Sequence, residues 1–567
     1  MNFQAAGQIA ASAIPDKSIL TKRADLWRVG TFAIALVALL PVLAILWLAV
    51  FPTENIWPHL ISTSLPRYLL NTALLMLGVG VSVFLTGVST AYFVSNFEFP
   101  LRRLFEWLLL LPLAFPAYVI AYLYTDLLEF AGPIQHSLRI AFGWELATDY
   151  WFPNVRSMGG AIMLMGLVLY PYVYLMARAS FIEQSSYLSD VSRLMGRNQI
   201  KTFMFVSLPI ARPAIAIGVA LALMETLNDF GTVDFFSIHT LTAGLYDVWL
   251  NMGNLGGAAQ IASVMLSFVV VLLGLEFAGR RRSRFYQSAT RYMHKRRAPL
   301  TGKMKWFAFI VCAAPVVFGF ILPLSMLLDY AVRYFDESWN PGFRSYAFNS
   351  IFVSITAALV CISLAVMICY ARRLHKDTAT GVAARIASLG YAMPGAVLAV
   401  GVVIPLAHFD NAVDGFFREY FNVSTGLLLT GTTFALIMTY TIRFMAISIG
   451  SVESSMSKIS ESVDMAARTL GHPALRTLRI FHLPLLKGGI LTAALIVFVD
   501  CMKELPATLL LRPFNFDTLA THVYQFASDE MIEQSALGSL VIVLAGLLPV
   551  LILSRTISRT QQLDLDE

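Results

Sequence analysis

Twelve long, mostly apolar stretches recur along this 567-residue chain and restrict its fold more than any other feature. Each is roughly twenty residues long, which is the length that an α-helix needs to cross a membrane. The composition agrees, because only 13% of the residues are charged, whereas soluble domains carry roughly 25%. We therefore predict an all-α polytopic membrane protein with these spans: 30–51, 69–95, 103–128, 157–179, 209–229, 258–279, 305–328, 346–371, 385–408, 425–449, 485–505 and 534–556.

The charges between the spans predict the orientation of the chain. The connection 280–304 is rich in arginine and lysine and contains no acidic residue, so the positive-inside rule places it in the cytoplasm. Counting spans outward from it puts both termini in the cytoplasm, in a bacterial inner membrane. The net charge of +6 is then explained by topology, and no nucleic-acid partner is expected.

The second half of the chain repeats the first. Tyr68-x-x-Asn71 recurs 278 residues later as Tyr346-x-x-Asn349, and Leu208-Pro209 recurs 275 residues later as Leu483-Pro484. Six spans per half give both halves the same orientation, and related halves create a natural pathway between them. The predicted organisation is a cytoplasmic segment 1–29, a first transmembrane half 30–279, a basic cytoplasmic linker 280–304, a second transmembrane half 305–556 and a cytoplasmic tail 557–567.

A short motif follows the fourth span of each half. Each copy combines an acidic residue, an arginine and a glycine, and a Leu-Pro pair comes twelve residues later. Glycine suits a left-handed helix stop, and proline is tolerated in the first turn of a helix. A helix–glycine–helix elbow can dock in a partner's groove, whereas a single copy could be an ordinary connector. The residues are Asp190, Arg193, Gly196 and Pro209 in the first copy, and Asp464, Ala466, Ala467, Arg468, Gly471 and Pro484 in the second.

This motif resembles the EAA loop of binding-protein-dependent ABC importer permeases, E-A-A-x-x-x-G followed later by I-x-L-P. The glutamate of the pattern falls on Asp190 and on Met465, where the neighbouring Asp464 is the candidate substitute. The resemblance implies the type I ABC importer permease fold. It also implies that 183–199 and 458–474 are coupling helices that dock in two copies of a cytoplasmic ABC ATPase.

The chain contains no G-x-x-x-x-G-K-[ST] loop for ATP phosphates. We therefore expect a permease subunit without its own ATPase site and without a cofactor, whose partner ATPase binds ATP and magnesium. The resemblance implies a periplasmic substrate-binding protein as a further partner, alongside the lipid bilayer.

The stretches 111–118, 225–236 and 503–512 resemble the fused two-half permeases of ferric iron importers. That resemblance implies that the cargo is Fe3+. Related permeases move thiamine, phosphonates, sulfate or polyamines, so another small solute is the alternative cargo. An ion-coupled secondary transporter also fits twelve spans, but it would not need the duplicated elbow.

Four acidic residues occupy equivalent positions near the outer ends of the fifth and eleventh spans: Glu225, Asp229, Asp500 and Glu504. Intramembrane ionisable residues are functional candidates by default, and oxygen ligands suit a hard cation, so transient Fe3+ contacts are predicted here without a fixed metal site. The alternative is that these acids cap helices or pair with Lys503 and Arg512. Tyr118 and Tyr122 are further pathway candidates, although such tyrosines often only pack.

Overall fold

The computed structural model describes the backbone of residues 17–184, 191–192, 194–196, 198–281 and 297–566. Within these ranges, side chains are described from residue 26 to 274 and from 297 to 549. The predicted coupling residues Asp190 and Arg193 lie outside the described residues, as does most of the linker 280–304.

The first half is helical apart from one two-residue strand. Its elements are α1 (Lys17–Val50), α2 (Trp57–Ser62), α3 (Leu65–Asn96), β1 (Phe97–Glu98), α4 (Arg102–Leu108), α5 (Ala117–Leu128), α6 (Pro133–Phe142), α7 (Met158–Glu183), α8 (Gln199–Thr202), α9 (Leu208–Asn228), α10 (Gly231–Phe235), α11 (Leu241–Tyr246) and α12 (Leu255–Arg281).

The second half has the same character. Its elements are β2 (Ala298–Pro299), α13 (Gly302–Val316), α14 (Leu322–Arg333), α15 (Phe335–Ser338), α16 (Pro341–Leu374), α17 (Thr378–Ala387), α18 (Gly395–Phe421), α19 (Thr433–Met456), α20 (Glu461–Thr469), α21 (Ala474–Thr477), α22 (Leu483–Met502), α23 (Pro506–Leu511), α24 (Leu519–Ser528) and α25 (Ile532–Asp566). The strands β1 and β2 pair in parallel, so the end of the linker is held beside the loop after the second span.

Within the described residues, eleven helical segments are long and apolar enough to cross a membrane. A broken pair of helical segments, Arg102–Ala114 and Ala117–Phe142, bends by 91° and brings the number of crossings to twelve when the pair is counted as one span. The predicted all-α architecture of about twelve spans in two six-helix halves is therefore confirmed.

Two of the predicted spans are interrupted by a proline. The predicted span 103–128 breaks at Phe115-Pro116, and 385–408 breaks at Met393-Pro394, where both residues of each pair have extended backbone angles. A residue before proline is disfavoured in the helical region, which explains the break. Each half therefore contains a helix, α5 or α18, that begins inside the bundle.

Two other spans begin earlier than predicted. The helices in question run over Gln199–Asn228 and Ala474–Met502, about ten residues ahead of the predicted starts at 209 and 485. A π turn, Phe203–Ser207 or Leu478–His482, directly precedes the Leu-Pro pair in each half. Proline lacks the N–H that a regular turn needs, and a wider turn lets the helix continue through it.

The first span of each half packs against the other half. A methyl group on Gly401 of α18 would come within 2.6 Å of the Pro41 carbonyl oxygen of α1. In the reciprocal contact, the Tyr124 hydroxyl donates to the Phe318 carbonyl oxygen at 2.5 Å, which joins α5 to the turn between α13 and α14. These two contacts hold the halves together.

Candidate functional site

The two halves enclose a cavity of about 110 Å³ where the broken helices α5 and α18 begin. Discontinuous helices are tolerated in a membrane where they line a cavity. The middle of α7, the ends of α9 and α22 and the middle of α19 complete its walls. Its polar lining consists of Tyr118, Tyr172, Glu225, Asn228, Asp229, Tyr391, Arg443, Asp500, Lys503 and Glu504.

A buried ion pair crosses this cavity. Arg443 Nη1 lies 2.7 Å from Glu504 Oε1, and the two side chains are only 7% and 2% exposed. The same nitrogen donates to Asn228 Oδ1 at 2.9 Å, and Nη2 lies 3.9 Å from Glu225 Oε2. Because Asn228 and Glu225 belong to the first half and Arg443 and Glu504 to the second, this cluster bridges the halves.

Asn228 also fixes the start of a broken helix. Its side-chain oxygen accepts a hydrogen bond from the Gly395 N–H at 2.7 Å, which satisfies a backbone donor at the first turn of α18. One amide thus holds the helix start and the Arg443 guanidinium together.

Asp500 has its own cation, since Lys503 Nζ lies 2.9 Å from Asp500 Oδ1. This is the pairing that the sequence offered as the structural alternative. The second suggested cation does not reach the cavity acids, because Arg512 contacts Asp517 instead.

Asp229 caps the short helix α10. Its carboxylate accepts from the Thr232 N–H at 2.9 Å, from the Thr232 hydroxyl at 3.0 Å and from the Val233 N–H at 3.3 Å. Capping is a sufficient structural reason for an acid here, yet the residue also lines the cavity.

Tyr118 and Tyr122 differ in their relation to the cavity. Tyr118 lines it, whereas Tyr122 is buried behind it and packs edge-on against Phe235. Neither hydroxyl has a hydrogen-bond partner among the described residues. Because buried polar atoms are nearly always paired, the Tyr118 hydroxyl is a candidate contact for a passing solute.

The charge of the cavity is uneven. Four carboxylates face two cations, so two negative charges remain if all groups are ionised. Both cations, Arg443 and Lys503, come from the second half of the chain. The charged lining residues of the first half are the acids Glu225 and Asp229. No three His, Cys, Asp or Glu side chains in the described part of the chain converge on a point that could hold a metal ion.

Arg443 is the functional candidate that sequence reasoning missed. It lies inside the predicted span 425–449, and an arginine within a span is itself a functional signal. The internal repeat gave no indication of Arg443, because the equivalent positions in the first half, 278 and 275 residues earlier, are the uncharged Met165 and Val168.

Gly395 lies directly against the ion pair. A methyl group on this glycine would lie 2.2 Å from Glu504 Oε1 and 2.3 Å from Arg443 Nη1. We expect Gly395→Ala to displace Arg443 and Glu504 from each other and to reduce uptake of the transported solute severely, as measured in cells. Gly381→Ala, in a helical position where a methyl group meets nothing within 4 Å, is the matched control and should behave like wild type.

The second predicted coupling loop contains α20 and a glycine-stopped turn. Gly471 has φ of +75°, and the His472 N–H donates to the Ala467 carbonyl oxygen at 3.0 Å, which is the geometry of a left-handed helix end. Ala467 is buried, whereas Met465 and Leu470 are exposed. The loop therefore presents apolar side chains outward.

Asp464 anchors α20 to the spans. Arg373 Nε donates to Asp464 Oδ2 at 2.7 Å, and His482 Nε2 lies 2.8 Å from Oδ1. Burial alone would raise the pKa of Asp464, but the hydrogen bonds with Arg373 and His482 outweigh it and lower the pKa below its usual value. The contact is thus complete at neutral pH and is lost only as the pH falls below about 4. The carboxylate is used within the chain, and the exposed residue at the glutamate position of the pattern is Met465.

The described part of the first loop matches the second. Gly196 has φ of +78°, and the exposed side chains beside it are Leu194 and Met195. Inside the loop, Ser192 Oγ and Thr202 Oγ1 are 3.0 Å apart. Both elbows therefore combine a left-handed glycine with exposed apolar side chains.

Comparison with known proteins shows which transport proteins the chain resembles. Residues 83–284 match the family described as the binding-protein-dependent transport system inner membrane component. The matched range is 202 of the 567 residues, so the chain is similar to inner-membrane components of binding-protein-dependent transport systems. The twelve-span fold and the internal repeat agree with a fused two-half permease that crosses the inner membrane several times. By its description, this family consists of inner-membrane components of transport systems that depend on a binding protein.

Individual relatives cover most of the chain or about one third of it. The Fe(3+)-transport system permease protein FbpB 2 of Haemophilus influenzae is 24% identical over 492 residues, 86% of this chain and 89% of its own. The ferric transport system permease protein FbpB of Actinobacillus pleuropneumoniae is 20% identical over 84% of this chain and 69% of its own. The molybdenum transport system permease protein ModB of Escherichia coli is 25% identical over 33% of this chain and 81% of its own.

Proposed function

We propose that this chain moves ferric iron from the periplasm to the cytoplasm, using ATP that a separate subunit hydrolyses. The observation that carries the proposal is the alignment of 86% of the chain with a permease named for Fe(3+) transport. The cavity supports it, because carboxylates outnumber cations there and hard cations prefer oxygen ligands.

The energy for transport would enter through the two elbows. Their exposed apolar side chains, Leu194 and Met195 in one and Met465 and Leu470 in the other, suit the grooves of a partner. Two elbows imply two ATPase copies, which bind ATP and magnesium. The mass of the purified complex measures this ratio, and a single ATPase copy per chain would contradict it.

We assign the face with the linker and the elbows, together with both termini, to the cytoplasm. The four cysteines are all buried, so the chain offers a low background for labelling. In intact cells with a permeable outer membrane, a membrane-impermeant maleimide should label Trp151→Cys, a position that is 86% exposed. It should label Met465→Cys, 61% exposed, only after the inner membrane is opened, and the reverse pattern would invert the topology.

The cargo alternative is another small solute such as thiamine or a phosphonate, and one relative is named for molybdenum transport. An oxyanion would need free cations in the pathway, but Arg443 and Lys503 each already contact a carboxylate. The cavity therefore favours a cation.

Radiolabelled uptake tests the cargo. In cells without other iron importers, iron uptake should require this chain together with its ATPase and binding protein. Thiamine, phosphonate and molybdate, supplied in parallel, should not accumulate. If one of these solutes accumulates and iron does not, the permease assignment stands and the iron assignment is wrong.

A further inference from the structure

Two buried oxygen atoms in the cavity have no partner. The Tyr118 hydroxyl and Glu504 Oε2 form no hydrogen bond within the described part of the chain, and each residue is 4% exposed. Leaving a buried polar atom unpaired costs stability. Both side chains line the same cavity as Glu225 and Asp229, so the unpaired oxygens lie on a surface that already carries excess negative charge.

We propose that this cavity is a transit site for a hard trivalent cation, and that the Arg443 guanidinium occupies the place of that cation until the cargo arrives. Glu504, Tyr118 and Asp229 supply the oxygen ligands, because each has lone pairs that its present contacts leave unused. This inference deepens the proposed function and rests on it.

The charge count favours a trivalent cargo. When Arg443 leaves the cluster, four carboxylates remain opposite Lys503 alone, which gives three excess negative charges if all of these groups are ionised. A trivalent cation neutralises them. Coulomb attraction scales with charge, so a trivalent ion displaces a guanidinium more readily than a divalent or monovalent ion does.

Displacement of Arg443 would also loosen the contact between the halves. Arg443 joins Glu504 of the second half to Asn228 and Glu225 of the first. With the guanidinium in place, the described acids do not converge on a common point. Arrival of the cargo would therefore exchange a bridge between the halves for a ligand cluster, which suits a pathway that opens alternately to each side.

Terbium binding to the purified permease–ATPase complex in detergent tests the proposal. Tb3+ is a hard trivalent ion without redox chemistry here, and its emission is sensitised by an adjacent tyrosine. Glu504→Gln should weaken binding by at least about tenfold, whereas Arg443→Gln should strengthen it by at least about tenfold, since a competing charge is removed. A purely structural ion pair would not give opposite signs for its two partners.

Two further variants make the test decisive. Tyr118→Phe removes a hydroxyl that has no partner among the described residues, so the fold is retained. The tyrosine-sensitised emission should fall, with the remainder coming from Tyr172 and Tyr391 in the same lining. Arg178→Gln removes an equally buried arginine, 3.4 Å from Glu106 and outside the cavity, and should leave binding unchanged.

Unchanged or weaker binding by Arg443→Gln would overturn the proposal, as would full sensitised emission from Tyr118→Phe. If Arg443→Gln does not accumulate, the Tyr118→Phe spectrum decides alone. Iron uptake by the wild-type transporter distinguishes a failure of the proposed function from a failure of the transit-site proposal. Its absence contradicts the proposed function, whereas normal uptake with failed terbium predictions contradicts only the transit site.

Discussion

Gly471→Pro is expected to abolish uptake while leaving the chain in the membrane. Gly471 has φ of +75°, whereas proline holds φ near about −65°, so the turn after α20 cannot form. Proline also removes the N–H that donates to the Arg468 carbonyl oxygen at 3.0 Å. The measurements are uptake, the amount of chain in the membrane and co-purification of the ATPase.

The matched control is Gly471→Asn, because asparagine tolerates the left-handed conformation better than other residues with a side chain. We expect it to retain most of the uptake. Normal uptake by Gly471→Pro would show that the elbow is an ordinary connector and that coupling occurs elsewhere.

The second large effect concerns stability. Arg443→Met should lower the free energy of unfolding by about 3–5 kcal/mol, because Glu504 is left as an unpaired charge inside the protein. The double variant Arg443→Met with Glu504→Gln removes both charges and should recover most of this loss. Denaturant unfolding of the purified chain in detergent, followed by fluorescence, measures the difference.

The single and double variants form a thermodynamic cycle with Glu504→Gln. Groups in direct contact are not additive, so the double variant should be more stable than the sum of the single losses predicts. Additive losses would mean that Arg443 and Glu504 do not interact in solution as they do in the structure.

The structure suggests how the elbow and the cavity communicate. His482 directly precedes α22 and contacts Asp464 of α20, and Asp500 near the other end of α22 lines the cavity. If α20 docks in an ATPase, as we propose, its movement would reach one end of a helix whose other end carries cavity residues.

Sequence alone was sufficient for the twelve spans, because the length of an apolar stretch is set by the membrane. It also located the glycines of both elbows, Gly196 and Gly471, since the repeat aligned them. It did not place the helix starts at Gln199 and Ala474, because hydrophobicity does not mark where a helix emerges from the membrane.

The sequence did not predict how the two halves pack against each other. Lipid-facing and buried helix faces are both apolar, so no pattern indicated that α1 would contact α18. The ion pair of Arg443 with Glu504 was missed for a different reason: only one half carries the arginine, and reasoning from equivalent positions favours residues that both halves share.

Reconstitution into proteoliposomes tests the central claim most directly. The chain, its ATPase and the iron-loaded binding protein would be combined, with ATP or a non-hydrolysable analogue supplied on the elbow side. The account predicts ferric iron transport that requires hydrolysable ATP and continues without an ion gradient. Iron transport that an ion gradient drives in the absence of the ATPase would contradict it and identify a secondary transporter.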